Sequence, residues 1–133
     1  MSQASNQMVK SMLAGVSFAS KQYFAVMMHT VANTVVVATG GAAEGTHVIG
    51  VIQNEPASGE AASVAIGGTS KLSMAAACDE GEKIMSDGNG EGTPVNGDQK
   101  SVIGIALEAS DGDGSIIEVL LTPGGVAQAD ESN

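Results

Sequence analysis

Short alternations of apolar and polar residues, broken by Gly, Asn, Asp and Pro, run through most of this chain. Over positions 23–31, Phe24, Val26 and Met28 fall on one face and Tyr23, Ala25, Met27 and His29 on the other, the two-residue period of a strand. Asn33 supplies turn chemistry, and 34–38 returns as a β-branched strand. Further strands are predicted over 47–52, 63–66, 69–75, 102–107 and 116–122, with a short one at Ile84 and Met85. In 69–75, Leu72 and Met74 point inward and Lys71 and Ser73 outward. In 102–107, Ile103, Ile105 and Leu107 share one face, with the small Gly104 and Ala106 on the other. In 116–122, Ile117, Val119 and Leu121 point inward. One helical turn fits within 75–82, and 87–100 reads as a long loop. Residues 1–21 are small and polar with no clean period, and read as an extended N-terminal arm with at most a short helical or strand piece near 12–18. The organisation is an arm over 1–21, a β-domain over 22–122 and a polar tail over 123–133. The fold class is all-β: a compact small barrel or sandwich of about eight short strands.

One phrase occurs twice, as Val48-Ile49-Gly50-Val51 and as Val102-Ile103-Gly104-Ile105. After each copy come small, acidic or turn-forming residues, then a second apolar run: Val64-Ala65-Ile66 in one case, Ile116-Ile117-Glu118-Val119-Leu120-Leu121 in the other. Strand, loose connection and returning strand make a hairpin-like unit. Two such units imply rough internal symmetry. The small residues Gly50, Gly104 and Ala106 mark places where a neighbouring strand or subunit approaches closely, and they are candidates for self-association.

Composition bears on partners. Phe18, Tyr23 and Phe24 are the aromatic residues, and Trp is absent, so the core draws on Ala, Gly and Val side chains that each bury little area. A core this thin points to burial against copies of the chain or a larger partner. The first 43 residues carry two lysines and no acid; after them three lysines stand against all 15 acids. Arg, the residue best suited to bidentate phosphate and base contacts, is missing, which argues against nucleic-acid binding. Cys78 is the single cysteine, so no intrachain disulfide forms. No apolar run reaches the ~18 residues of a membrane-spanning helix. Residues 12–19, broken by Gly15 and Ser17, make a poor signal-peptide core.

Catalytic and metal chemistry finds little footing. The segment from Asp87 to Asp98 partly matches a Ca²⁺-binding loop, but Pro94 sits inside it and no amphipathic helices flank it, so it reads as an acidic hairpin loop. Asp111-Gly112-Asp113-Gly114 reads as a turn. Cys78 with His29 or His47 lacks any nucleophile-elbow sequence. Gly67-Gly68 is not followed by a phosphate-binding lysine helix, and neither Lys71 nor Lys83 sits in a carrier-lysine turn. The reading is a non-enzyme with no catalytic residue, cofactor or metal.

At Val102-Ile103-Gly104-Ile105-Ala106-Leu107-Glu108 and Ile116-Ile117-Glu118-Val119-Leu120-Leu121, the chain resembles the capsid cement, or head decoration, proteins of tailed phages. Val48-Ile49-Gly50-Val51-Ile52-Gln53-Asn54-Glu55-Pro56 and Gly81-Glu82-Lys83-Ile84-Met85-Ser86-Asp87 agree with it, so the resemblance spans about 23–121. It departs in the longer 87–100 loop and the N-terminal extension. The resemblance implies a small β-rich protein on the outside of an icosahedral head that reinforces joints between major capsid proteins. It further implies self-association, a homotrimer ahead of a homodimer, and a place on the virion after synthesis in the bacterial cytoplasm. The alternative is a binding module for Ca²⁺ or a surface glycan on the same scaffold, which the scarcity of aromatic platforms disfavours.

If the partner is a capsid, the arm is the expected grip. An extended segment adds main-chain hydrogen bonds to an exposed strand edge, and Lys10 and Lys21 suit acidic patches. Lys10, Met12, Leu13, Phe18 and Lys21 are the expected contacts, against the alternative that the arm packs on its own domain or a sister subunit. On this reading, deleting Ser2–Ser20 leaves the β-domain folded.

Overall fold

The computed structural model describes residues 7–39, 47–95, 100–123 and 126–127. Ten strands follow in order: β1 (Gln7–Ala14), β2 (Ala25–Met28), β3 (Thr34–Val37), β4 (Val48–Ile52), β5 (Ala61–Ser73), β6 (Lys83–Ser86), β7 (Gly92–Pro94), β8 (Lys100–Ala106), β9 (Ile116–Leu121) and β10 (Val126–Ala127). They pair as β1-β3-β2-β4-β5-β9-β8-β6-β7, with β10 beside β8. A further pairing of β1 with β5 closes the first five strands into a barrel, with β1 meeting β3 only at Leu13 and Ala14. Both hairpin-like units read from the repeated phrase form, as β4–β5 and β8–β9.

The two halves share more than a phrase. Met27 faces Val48 and Val26 faces Gly50; Met85 faces Val102 and Ile84 faces Gly104. In each case the register skips one isoleucine, Ile49 or Ile103, the extra residue of a β-bulge. Val26 pairs with Val37 as Ile84 pairs with Pro94, and Ile52 with Val64 as Ala106 with Val119. The role of β1 is taken in the second half by the end of β5. Lys10 faces Val64 and Leu13 faces Ala61, as Ser70 faces Val119 and Ser73 faces Ile116. The parallel pair Ala14–Val35 that closes the first ring has its counterpart in a parallel bridge between Met74 and Gly92. The left-handed residues match as well: Tyr23 with Gly81 and Gly59 with Gly114. The chain is thus a tandem of two five-stranded rings that share β5.

Gly50 and Gly104 show why the phrase repeats. A Cβ on Gly50 would lie 2.2 Å from the Ala65 carbonyl oxygen, and one on Gly104 2.0 Å from that of Leu120. Beside each bulge the next strand crosses too closely for any side chain.

Inside the first barrel lie Met12, Ala14, Phe18, Val26, Val35, Ile52, Ala62 and Val64. The outward face of that barrel is buried too. Ala25, Val48, Val51 and Ala65 cluster with Leu72, Ile84, Ile103, Ile117 and Val119 of the second. The Ala25 amide donates to the Gly90 carbonyl at 2.7 Å and the Ser73 amide to the Tyr23 carbonyl at 2.9 Å, tying the barrels together.

Several sequence expectations are corrected. The end of the supposed arm is β1, an integral barrel wall, and Phe18 is fully buried behind it. Its irregular burial, with Met8 to Ser11 all exposed, hides the strand period. The strands expected over 63–66 and 69–75 are one continuous β5, which passes through Gly68 in a left-handed conformation. No helical turn forms within 75–82, and β7 lies inside the expected 87–100 loop. Ile103 and Ile105 do not share a face: the bulge turns Ile103 inward, fully buried, while Leu107 is exposed. A short β10 occupies the expected polar tail.

Candidate functional site

A shallow depression of about 230 Å³ is lined by Ala77, Cys78, Asp79, Glu82 and Ser110. Its serine hydroxyl and its thiol are already engaged. The Ser110 hydroxyl donates to the Ala76 carbonyl at 3.1 Å, and the Cys78 thiol lies 3.9 Å from the Glu108 carbonyl. Burial pushes the Cys78 thiol up; the Ser110 backbone hydrogen bond pulls it back, and the charges of Glu82 and Asp79 add to the rise. A thiol so held is a poor nucleophile. His29 builds a turn instead of activating Cys78: its Nδ1 accepts from the Val31 amide at 3.1 Å. His47 opens the way into β4, with its buried Nδ1 unpartnered among the described residues.

Asp87 does the same work in the second barrel that His29 does in the first. Its Oδ1 accepts from the amides of Asn89 at 2.8 Å and Glu91 at 3.0 Å, a side chain that shapes the β6–β7 turn. Asp98 lies outside the described residues. Among the described residues, no three His, Cys, Asp or Glu side chains converge as a metal site. No helix among them is long and apolar enough to cross a membrane.

The expected contact residues separate into two sets. Met12 and Phe18 are interior to the first barrel and hold it together. Lys10 and Leu13 are exposed on β1, and half-buried Lys21 sets its Nζ 6.0 Å from the centre of the Phe24 ring. Gly50, Gly104 and Ala106 face their own chain's strands: the first two by the contacts above, and Ala106 at 1% exposure. Their smallness serves packing within the chain, which corrects their reading as self-association residues. Exposed Val31, Leu107, Ile116 and Leu120 are not among the contact residues read from the sequence. The alternation Ile116-Glu118-Leu120 on the outer face of β9 was their one visible signal.

β1 itself has an unusual edge. It pairs with β5 over Gln7–Leu13, whereas β3 meets it only at Leu13 and Ala14. Among the described residues, no strand pairs with Val9–Met12 on the side away from β5.

Comparison with known proteins fits this architecture. The model of the phage cement protein family matches residues 6–121, and the chain belongs to that family. It is accordingly a structural protein of a phage head. Among solved structures it is similar to the head fiber gp8.5 N base of bacteriophage phi29, with a TM-score of 0.63 at 12% identity, covering 87% of this chain and 94% of that one. At that identity the likeness is one of fold. A comparison with curated protein sequences gives no match.

Proposed function

We propose that this protein cements the outer surface of a phage head, reinforcing joints between major capsid proteins, and that it is made in the host cytoplasm and added to the head as a homo-oligomer, a trimer ahead of a dimer. The first barrel is the docking side. The observation that carries this is β1: a strand exposed over Met8–Ser11, with no strand paired to Val9–Met12 on the side away from β5 among the described residues, bearing exposed Lys10 and Leu13 in a stretch with no acid, on a chain whose acids all lie further on. A partner strand gains main-chain hydrogen bonds along such an edge, and its acidic side chains find lysines there and like charge elsewhere.

Deleting the N-terminal residues no longer tests this, because β1 closes the barrel and Phe18 fills it. Lys10→Glu with Leu13→Asp changes only exposed side chains. On heads lacking the protein, the double variant is expected to lose at least about tenfold in affinity in co-sedimentation while its melting temperature stays near that of the wild type. Full occupancy by the folded variant would move the docking surface away from β1.

A further inference from the structure

The duplication makes each surface of one barrel comparable with the same surface of the other, and one pair is unequal. In the first barrel the outer face of β2, β4 and β5 presents Ala25, Val51 and Ala65, all completely buried because the second barrel sits on it. By register, the same positions of the second barrel are Lys83, Ile105 and Leu120. Here Lys83 is exposed, Ile105 half-buried and Leu120 exposed, with Ile116 52% exposed four residues back along β9. This second face keeps an apolar strip of Ile105, Leu120 and Ile116 like its covered counterpart, with Lys83 where Ala25 stands. Its charges are few: Lys71 stands opposite Glu118, and Lys83 is paired with Ile105.

What covers the first face is informative. The β6–β7 turn reaches it, with the Gly90 carbonyl accepting from Ala25, and a Cβ on Gly90 would press within 2.6 Å of Val37. The matching element of the first barrel is the β2–β3 turn. It holds the left-handed Asn33 at the position of Gly90 and exposes Val31 at 57%, the second most exposed of the large apolar side chains after Met8. A turn of the kind used within the chain is therefore free at one end, and a face of the kind it covers is free at the other.

We propose that copies of this chain join head to tail, the β2–β3 turn around Val31 of one copy seated on the Ile105–Ile116–Leu120 face of the next. This rests on the cement reading and names the surfaces of its self-association. The contact continues the packing already present between the barrels, and it brings the β1–β3 part of the first barrel, which carries Lys10 and Lys21 and no acid, against the more acidic second one. A heterologous contact of this kind leaves an unmatched end on every open chain of copies, so it closes into a ring when the rotation allows.

The experiment uses the intact protein with Val31→Glu and Leu120→Glu, both at exposed positions, followed by mass photometry and sedimentation velocity. Each variant alone is expected to lose self-association by about tenfold or more. Mixed, they are expected to form a dimer, because each supplies the half the other lacks. Association unchanged in Val31→Glu would overturn the proposal, as would failure of the mixture to pair or a wild type that stays monomeric at every concentration. Leu120→Gln, which keeps the residue uncharged, is expected to give a weaker loss with an unchanged melting temperature. Occupancy of heads by the single variants is measured separately: a non-associating variant that still binds heads leaves the cement function standing.

Discussion

Phe18 and Cys78 occupy the same place in the two barrels. The Phe18 amide donates to the Pro56 carbonyl at 2.9 Å, and the Cys78 amide to the Ser110 carbonyl at 3.2 Å, as each chain segment turns across its barrel mouth. The side chains differ in volume, and neighbouring positions compensate. Ala14 and Ala62 of the first barrel are matched by Met74 and Ile117, whereas Val35 and Ile52 are matched by Gly92 and Ala106. A Cβ on Gly92 would lie 2.6 Å from Met74 Sδ and 2.7 Å from Leu72 Cδ2, so the methionine takes space that the Val35 side chain fills beside Phe18 in the core of the first barrel.

That exchange predicts an asymmetry between single and paired substitutions. Phe18→Ala is expected to destabilise by about 3–5 kcal/mol. Cys78→Phe overpacks the second barrel, at about 1–3 kcal/mol. Adding Met74→Ala to Cys78→Phe is expected to cost less than the sum of the two singles. Denaturant melts of the four variants give the coupling, and strict additivity would show that the two side chains do not share one space.

Gly104→Ala and Gly50→Ala are expected to be severely destabilising, by about 3 kcal/mol or more, because the new methyl meets a backbone carbonyl that cannot swing away. Gly67→Ala is the control. Its nearest neighbour would be Met8 Cβ at 3.6 Å and its backbone is not left-handed, so little change in melting temperature is expected.

Glu91 gives a pH signature. Burial raises its pKa, the negative charges of Asp87 and Asp113 raise it further, and the Ser73 hydroxyl, 3.4 Å from Oε2, pulls it back. With the folded value above the unfolded one, the folded state holds its proton more tightly. Its favourable contribution is present at low pH and is lost as pH rises through the raised folded value. Glu91→Gln is therefore expected to raise the melting temperature at neutral pH. The gain should shrink on acidification and vanish below the ordinary carboxylate range.

Asp87→Ala removes the acceptor that shapes the β6–β7 turn, at an expected cost of about 1 kcal/mol. That cost should be the same with and without millimolar Ca²⁺. A Ca²⁺-dependent rise in wild-type melting temperature, absent in the variant, would mean that the turn holds a cation.

The strand period made β9 legible because its exposed and buried residues alternate cleanly, whereas β2, β4 and β8 were legible as short apolar runs bounded by turn residues. The repeated Val-Ile-Gly phrase revealed the hairpins but not that whole barrels repeat, since the matching pairs such as Val26 with Ile84 and Lys10 with Ser70 share no residue type. What carries the repeat is register and turn geometry, and these leave little trace in side-chain identity. β1 escaped notice because its first half is exposed on both faces. The bulges at Ile49 and Ile103 shift the alternation by one residue, so a face assigned by counting in twos comes out reversed beyond them. The exposed apolar residues of β9 were visible as alternation, yet nothing in the sequence told which face a second barrel would leave uncovered.

The sharing of β5 between the barrels also has a mechanical side. One end of this strand is laced to β1 and β4 and the other to β9. A pull that separates the two barrels along this strand runs through its covalent backbone and loads the flanking ladders in shear, so that their hydrogen bonds must yield together and not one after another from an end. The two ladders abut at Gly68 and Thr69, where pairing passes directly from β1 to β9, so a load on one laced segment is handed straight to the other.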